Sequence, residues 1–374
     1  MAIGAGLLIK SFARLLSVNP GFRTEKLITG RLSLAANQYR DTHRAAAFYQ
    51  DLVERLRPLP DIRAVSVVSQ IPLTGGMGGS PFSIEGRPWD ANSKTPQVAS
   101  QEVIGMDYFR AMQIPLLAGR VFAKREPEPV VIINDTMARG FWPGRDPTGR
   151  RILLGAPRPG ALWLTIVGVV GDVRNSGLSV TPLPQMYVPL GQSPALSMAL
   201  VVRTTVDAPS VISIMRREVF ALDPGQPLYD VKTMEQRMAA TVAQPRFQTV
   251  LLGIFAALAL ILAAVGIYGV IAQSVAQRTH EIGIRMALGA RPAVVLLMVL
   301  GEGAALAASG IALGLVGMLA LGRVLSSLLY EVAPFDPATF AEAVLLLTAV
   351  ALAACHVPAR RAARVDPMTA LRWE

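Results

Sequence analysis

The apolar positions of this chain change period along its length, and each change predicts a different kind of element. From Lys26 to Leu34, "KLITGRLSL" alternates apolar and polar residues, as a half-buried strand does. In "THRAAAFYQDLVERLRPLP", Phe48, Leu52 and Leu56 fall at i, i+4 and i+8 before Pro58, which predicts an amphipathic helix with a stop. "IRAVSVVSQIPL" returns to strand, so a β-α-β unit opens the domain. The pattern recurs in "MALVVRTT" (Met198 to Thr205), a helix from Ala208 to Leu222, and "PLYDV". Between the two halves, about 80–191, strand-like runs such as "PVVIIN" and "LWLTIVGVVGDVR" are separated by Pro and Gly. They predict an inserted β-rich subdomain in an α+β domain.

Beyond Arg246 the alternation gives way to continuous apolar runs. Residues 247–277 carry no charge, and a bilayer core takes about 20 apolar residues as helix. Two further runs follow, one with Gly310 and Gly314 in a small-xxx-small pattern suited to close helix approach, the other with Glu342 alone near its start. The predicted membrane helices are therefore about 247–276, 304–322 and 340–357. Arg278, Arg285 and Arg291 lie in the first connection, and Arg360, Arg361, Arg364 and Arg372 follow the last span. The intervening connection holds one Arg with Glu331 and Asp336. By the excess of Lys and Arg in cytoplasmic loops, 277–303 and the tail 358–374 are inside and the N-terminal domain outside. "MAIGAGLLI" is too short to span and lacks the marks of a signal peptide. Segment 1–18 is expected to be the end of a membrane helix that begins upstream, or an interfacial helix.

Composition agrees with a part-soluble, part-membrane chain: 52% hydrophobic and 17% charged, against roughly 25% charged in soluble proteins. The net charge of +10 suits anionic membrane lipid. Its arginines are scattered rather than set in a stripe with aromatics, which excludes a nucleic-acid surface. Signatures of nucleotide binding, metalloproteases and serine hydrolases are absent, and His43, His280 and His356 lie far apart, so no enzyme, metal or cofactor is expected. "TGGMGGS" (Thr74 to Ser80) lacks the Lys-Ser/Thr of a phosphate loop and reads as a turn. Asp172, after the strand-like "TIVGVVG", is open to two readings, a turn cap or an acid-base carboxylate. Glu302 is expected at the inner interface, before the second span, and Glu342 near the outer one.

The charged island "QRTHEIGIRMALGARP" has order of its own. Glu281 and Arg285 stand at i, i+4 in the favourable sense, Ile282 and Met286 share a face, Gly289 can end the helix in left-handed conformation, and Pro292 suits the start of the next. It reads either as a loop that only fixes topology or as a short docking helix.

"EIGIRMALGA", "LLYEVAPFDPATF" and "PARRAARVDPMTALRWE" resemble the C-terminal region of the MacB/FtsX-type ABC transporter permeases. "GFRTEKLITGRLSL", "FRAMQIPLLAGRVF", "VVIINDTMARGFWPG" and "TIVGVVGDVR" are similar to the MacB-like periplasmic core domain, above all that of the duplicated orphan permeases described in acidobacteria, of which this chain would be a C-terminal half or a shortened form. The resemblance implies a MacB-like periplasmic core over 19–244 and an FtsX-like permease domain over 245–374, in the bacterial inner membrane. It implies a non-catalytic permease subunit for efflux or envelope export, dimeric or paired with a second permease half, beside a cytoplasmic ABC ATPase that binds the ATP and a periplasmic adaptor. Glu281, Ile282, Gly283, Arg285, Met286, Gly289 and Ala290 would then form the segment docked on the ATPase. His280 departs from the family, which has Arg there, as does Glu331, where the family has Gly. An FtsX-like protein that activates a periplasmic cell-wall enzyme is the alternative, and a membrane-held solute-binding protein a third.

Overall fold

The computed structural model describes residues 2–39, 41–75, 78–89, 97–288, 291–326 and 336–362. The chain forms two compact units, residues 18–243 and residues 1–17 with 244–374. A first helix, α1 (Ala2–Ser17), is followed by β1 (Leu27–Ser33), α2 (Thr42–Leu56) and β2 (Ile62–Val68). Next come β3 (Ser80–Ile84), β4 (Val98–Ile104), α3 (Tyr108–Met112), β5 (Leu116–Gly119), β6 (Val130–Asn134), α4 (Asp135–Phe141), β7 (Arg151–Leu154), β8 (Leu164–Val170) and β9 (Gln185–Pro189). The unit closes with β10 (Ser197–Thr204), α5 (Ala208–Leu222) and β11 (Tyr229–Thr233).

The two β-α-β halves are interlocked. Strands run in the order β11-β1-β10-β2, each antiparallel to its neighbour, so β10 lies between β1 and β2 while β1 lies between β10 and β11. Each β-α-β is thus split by a strand of the other, the arrangement of ferredoxin-like folds. Alternation explains the packing: Ile28, Leu32, Val65, Val67, Leu200 and Val202 share one core with Phe48, Leu52 and Leu56 of α2 and Val211, Met215 and Val219 of α5. Each such side chain stabilises by about 1.5–3 kcal/mol when fully buried. Asp41 starts α2 by accepting the His43 N–H at 2.9 Å.

The segment between β2 and β10 is β-rich, as its pattern predicts. Strands β4, β3, β7, β8, β6 and β9 pair in sequence, and β9 returns to β4 in a parallel ladder from Ser100↔Gln185 to Ile104↔Pro189. The pairings form a ring, with β5 added on β8. Closure pairs strand edges that would otherwise be exposed. The ring joins the four-stranded sheet at one residue pair, Val68↔Ile104, with Ser69 N–H to Val103 O and Gly105 N–H to Val67 O, both at 2.8 Å.

In the other unit, α6 (Met234–Gln277), α7 (Thr279–Ala287), α8 (Pro292–Ser326) and α9 (Pro337–Ala362) follow one another. Among the described residues α6, α8 and α9 are long and apolar enough to cross a membrane. Exposed Leu262, Leu297, Leu313 and Leu345 show helices apolar on their outer faces, as lipid solvation allows. Helix α8 runs unbroken from Pro292 through Glu302 into the expected span. The helix continues because Glu302 is not alone: it takes an ion pair from Arg278 at 2.6 Å and a hydrogen bond from Ser274 at 3.2 Å. Close helix approach also differs from expectation. Gly310 and Gly314 face open space, whereas a Cβ at Gly303 would overlap the Cys355 sulfur of α9. Helix α1 packs on α9 through Gly6, against Thr339, and Lys10 pairs with Asp336.

Candidate functional site

Helix α7 spans the charged island. Arg278 precedes it as N-cap, and Leu288 follows as C-cap, its N–H donating to the carbonyls of Ile284 and Met286. Pro292 is the first residue of α8. Gly289 and Ala290 lie outside the described residues.

The helix has two faces with different work. Ile282, only 2% exposed, enters a cluster with Ile271 of α6, Val295 and Val299 of α8, and Cys355 and Ala359 of α9. Gly283 is buried beside it, and Met286 packs at the edge of the same cluster. All four helices of this end therefore meet on the inner face of α7. Burying Ile282 alone contributes about 1.5–3 kcal/mol, enough to hold a nine-residue helix that would be unstable by itself. On the outer face, Glu281 and Arg285 pair with each other, and Arg285 also reaches the Met298 sulfur at 3.4 Å. Ile284 is 39% exposed and Leu288 83% exposed. Arg361 reaches Tyr268 Oη at 3.4 Å, tying α9 to α6 near the same end.

Of the residues expected at this site, Ile282, Gly283 and Met286 anchor the helix, while Glu281 and Arg285 are presented. Sequence reading missed Leu288 and Ile284, which lengthen the presented face. Their signal was there, since 281, 284, 285 and 288 are one helical stripe. It also missed the Arg278–Glu302 pair, which fixes the junction of α6 and α7 to α8.

Asp172 is structural. Its carboxylate accepts from Asn134 Nδ2 at 2.7 Å, Thr136 N and Thr136 Oγ1 at 2.8 Å, and Arg139 at 3.3 Å. Asn134 in turn caps α4 through the Met137 N–H and also receives the Gln185 N–H. The acid after β8 thus fastens α4 directly and the start of β9 through Asn134.

A split β-α-β domain carrying a β-ring, followed in the chain by three membrane-length helices with a short helix packed among them, defines a membrane protein with a large α+β domain. The MacB-like periplasmic core domain matches residues 3–218 and the FtsX-like permease C-terminal domain residues 253–367. The first match alone covers more than half of the chain, which therefore belongs to the MacB/FtsX-type ABC permeases. It is 27% identical over 332 residues to the probable syringafactin export ATP-binding/permease protein SyfD of Pseudomonas syringae pv. tomato, covering 85% of this chain and 48% of that protein. With the macrolide export ATP-binding/permease protein MacB of Agrobacterium fabrum it shares 29% identity over 293 residues, 73% of this chain and 43% of the relative. The chain spans about half the length of the curated relatives it matches. The periplasmic region of MacB from Actinobacillus actinomycetemcomitans aligns with 60% of this chain and 95% of its own length, at 13% identity and a TM-score of 0.39.

Proposed function

We propose that this chain is a non-catalytic permease subunit of an ABC transport system, working in efflux or envelope export at the bacterial inner membrane, and that α7 receives the motion of a partner ATPase. The observation that carries this reading is the two-sidedness of α7. A loop that only fixes topology needs arginines; it does not need Ile282 and Gly283 buried among three other helices. A docking helix needs both a fixed back and a presented front, and Leu288 and Ile284 beside the Glu281–Arg285 pair make such a front. Apolar side chains ringed by charge are the usual anchors of an interface. Because α6, α8 and α9 meet on the back of α7, displacement of α7 displaces their ends together. Names joining ATP-binding and permease functions in the relatives support an ATPase as the partner. In this reading Gly289 and Ala290 complete the docking segment, and the permease works as a dimer or with a second half.

The test is purification of the tagged full chain with its associated ATPase from membranes, comparing wild type with Arg285→Glu combined with Leu288→Asp. The variant should stay in the membrane but recover at least ~10-fold less ATPase, as loss of interface anchors does. Equal recovery, with ATP-dependent export intact, would remove α7 from the coupling role.

A further inference from the structure

A cleft of about 540 Å³ opens in the unit formed by residues 18–243, between α2 and the β-ring. It is of a size that takes small molecules. Val53, Val67, Ile104, Met106 and Leu190 give it an apolar interior. Its walls are fixed in advance. Tyr49 of α2 is buried and donates to Leu196 O at 2.7 Å, and Gln192 clasps the Val130 backbone on both sides, accepting from its N–H at 2.9 Å and donating to its carbonyl at 3.1 Å. Glu126 is pinned by both terminal nitrogens of Arg120, at 2.7 and 2.8 Å, and by the Ala123 N–H.

The charge at this opening runs against that of the protein. The chain carries +10, yet the cleft is lined by Glu54, Glu126 and Glu128 against Arg57 and Lys124. Arg57 is taken by Asp107 at 2.9 Å, and Lys124 reaches Glu54 only at 3.6 Å. Glu128 forms no ion pair among the described residues. An apolar interior with a carboxylate free of any direct ion pair at the lip complements one chemistry: an apolar body bearing a protonated amine. We infer that this cleft is a binding site for small amphiphilic amines, with Glu128 and Glu54 meeting the ammonium and the apolar interior between α2 and the ring holding the body. The site and α7 belong to different units, and occupancy of the site needs no ATPase, so it fails or holds independently of the coupling role.

The probe is dansylcadaverine, an aromatic body with a primary amine on a five-carbon chain, compared with its N-acetyl derivative, which lacks the charge. Binding is followed by fluorescence on the full chain in zwitterionic-lipid nanodiscs, with empty nanodiscs subtracted. The amine should bind saturably and ~10-fold more tightly than its acetyl form at low salt, as a half-solvated ion pair allows. Glu54→Gln with Glu128→Gln should bring the two probes within ~3-fold of each other. Gly191→Trp, which fills the cleft from its rim, should abolish binding of both probes, and Met106→Trp is the second filling variant should the first not fold. Equal affinity of the two probes for wild type, or binding that survives a folded Trp variant, overturns the assignment.

Discussion

Glu102 is the residue whose burial has the plainest physical consequence. It is 3% exposed on β4, beside the single residue pair that joins ring and sheet. Burial pushes its carboxyl up to about 7 from 4.5, against the opposing hydrogen bonds from Ser69 and the Gln70 N–H. The other groups that face it, Tyr108 and Tyr187, are buried phenols raised by desolvation and by that same carboxylate. The folded state therefore holds a proton between pH 4.5 and about 7 that the unfolded chain has released, and stability falls as pH rises through that window. At ~1.4 kcal/mol per unit the loss is roughly 3 kcal/mol, complete above pH ~7. Glu102→Gln keeps an acceptor for Ser69 and removes the titration. Hydrogen-exchange protection of residues 98–104, corrected for intrinsic rates, should drop between pH 5 and pH 8 in wild type and stay level in the variant. A wild-type profile as flat as that of Glu102→Gln would mean that the carboxylate is solvated. None of this is legible in "VASQEVI", where Glu102 reads as a polar position of an alternating strand. Its burial comes from α3 close behind it and from β9, far along the chain, which pairs Tyr187 with Glu102.

At the level of helices, the contact between α8 and α9 is set by Gly303 and Cys355. Cys355 is fully buried, and a methyl placed on Gly303 would overlap its sulfur. Overpacking of this kind costs about 1–3 kcal/mol. Gly303→Ala should lower the thermal unfolding midpoint of the full chain in detergent, and Cys355→Ala in the same molecule should restore most of the loss, because it removes the atom that collides. Additive destabilisation by the two changes would show that the helices meet elsewhere. The three membrane helices were legible because an uncharged run of about 20 residues has few other solutions. The partner of Glu302 was not, since a lone Glu302 in sequence looks like the edge of a span. Only the fold brings Arg278, 24 residues away, against it. In the same way Gly310 and Gly314 fit a packing motif, and the close approach falls on the same face about two turns earlier, at Gly303.

For the molecule as a whole, the α+β class was readable because apolar periodicity switches from 2 to 3.6 and then to unbroken runs. The interlocking of its two halves was not, because β1 finds β10 and β4 finds β9 across long stretches of chain, and periodicity carries no information about partners. Orientation in the membrane rests on a different signal, the clustering of arginines in and after the island. Arg278, Arg285 and Arg291 precede the second span, and Arg360 and Arg361 close the third. Moving such clusters across a bilayer is costly, and they stay on the side where the chain is made. The chain has a single cysteine, buried Cys355, so accessibility can be read one position at a time in a Cys355→Ala background. Arg216 on α5 and His280 on α7 are both exposed. In intact spheroplasts an impermeant maleimide should label Arg216→Cys at once and His280→Cys only after lysis. The reverse pattern would invert the topology. Labelling of both from outside would mean that α6, for all its 44 residues, does not cross the membrane between them.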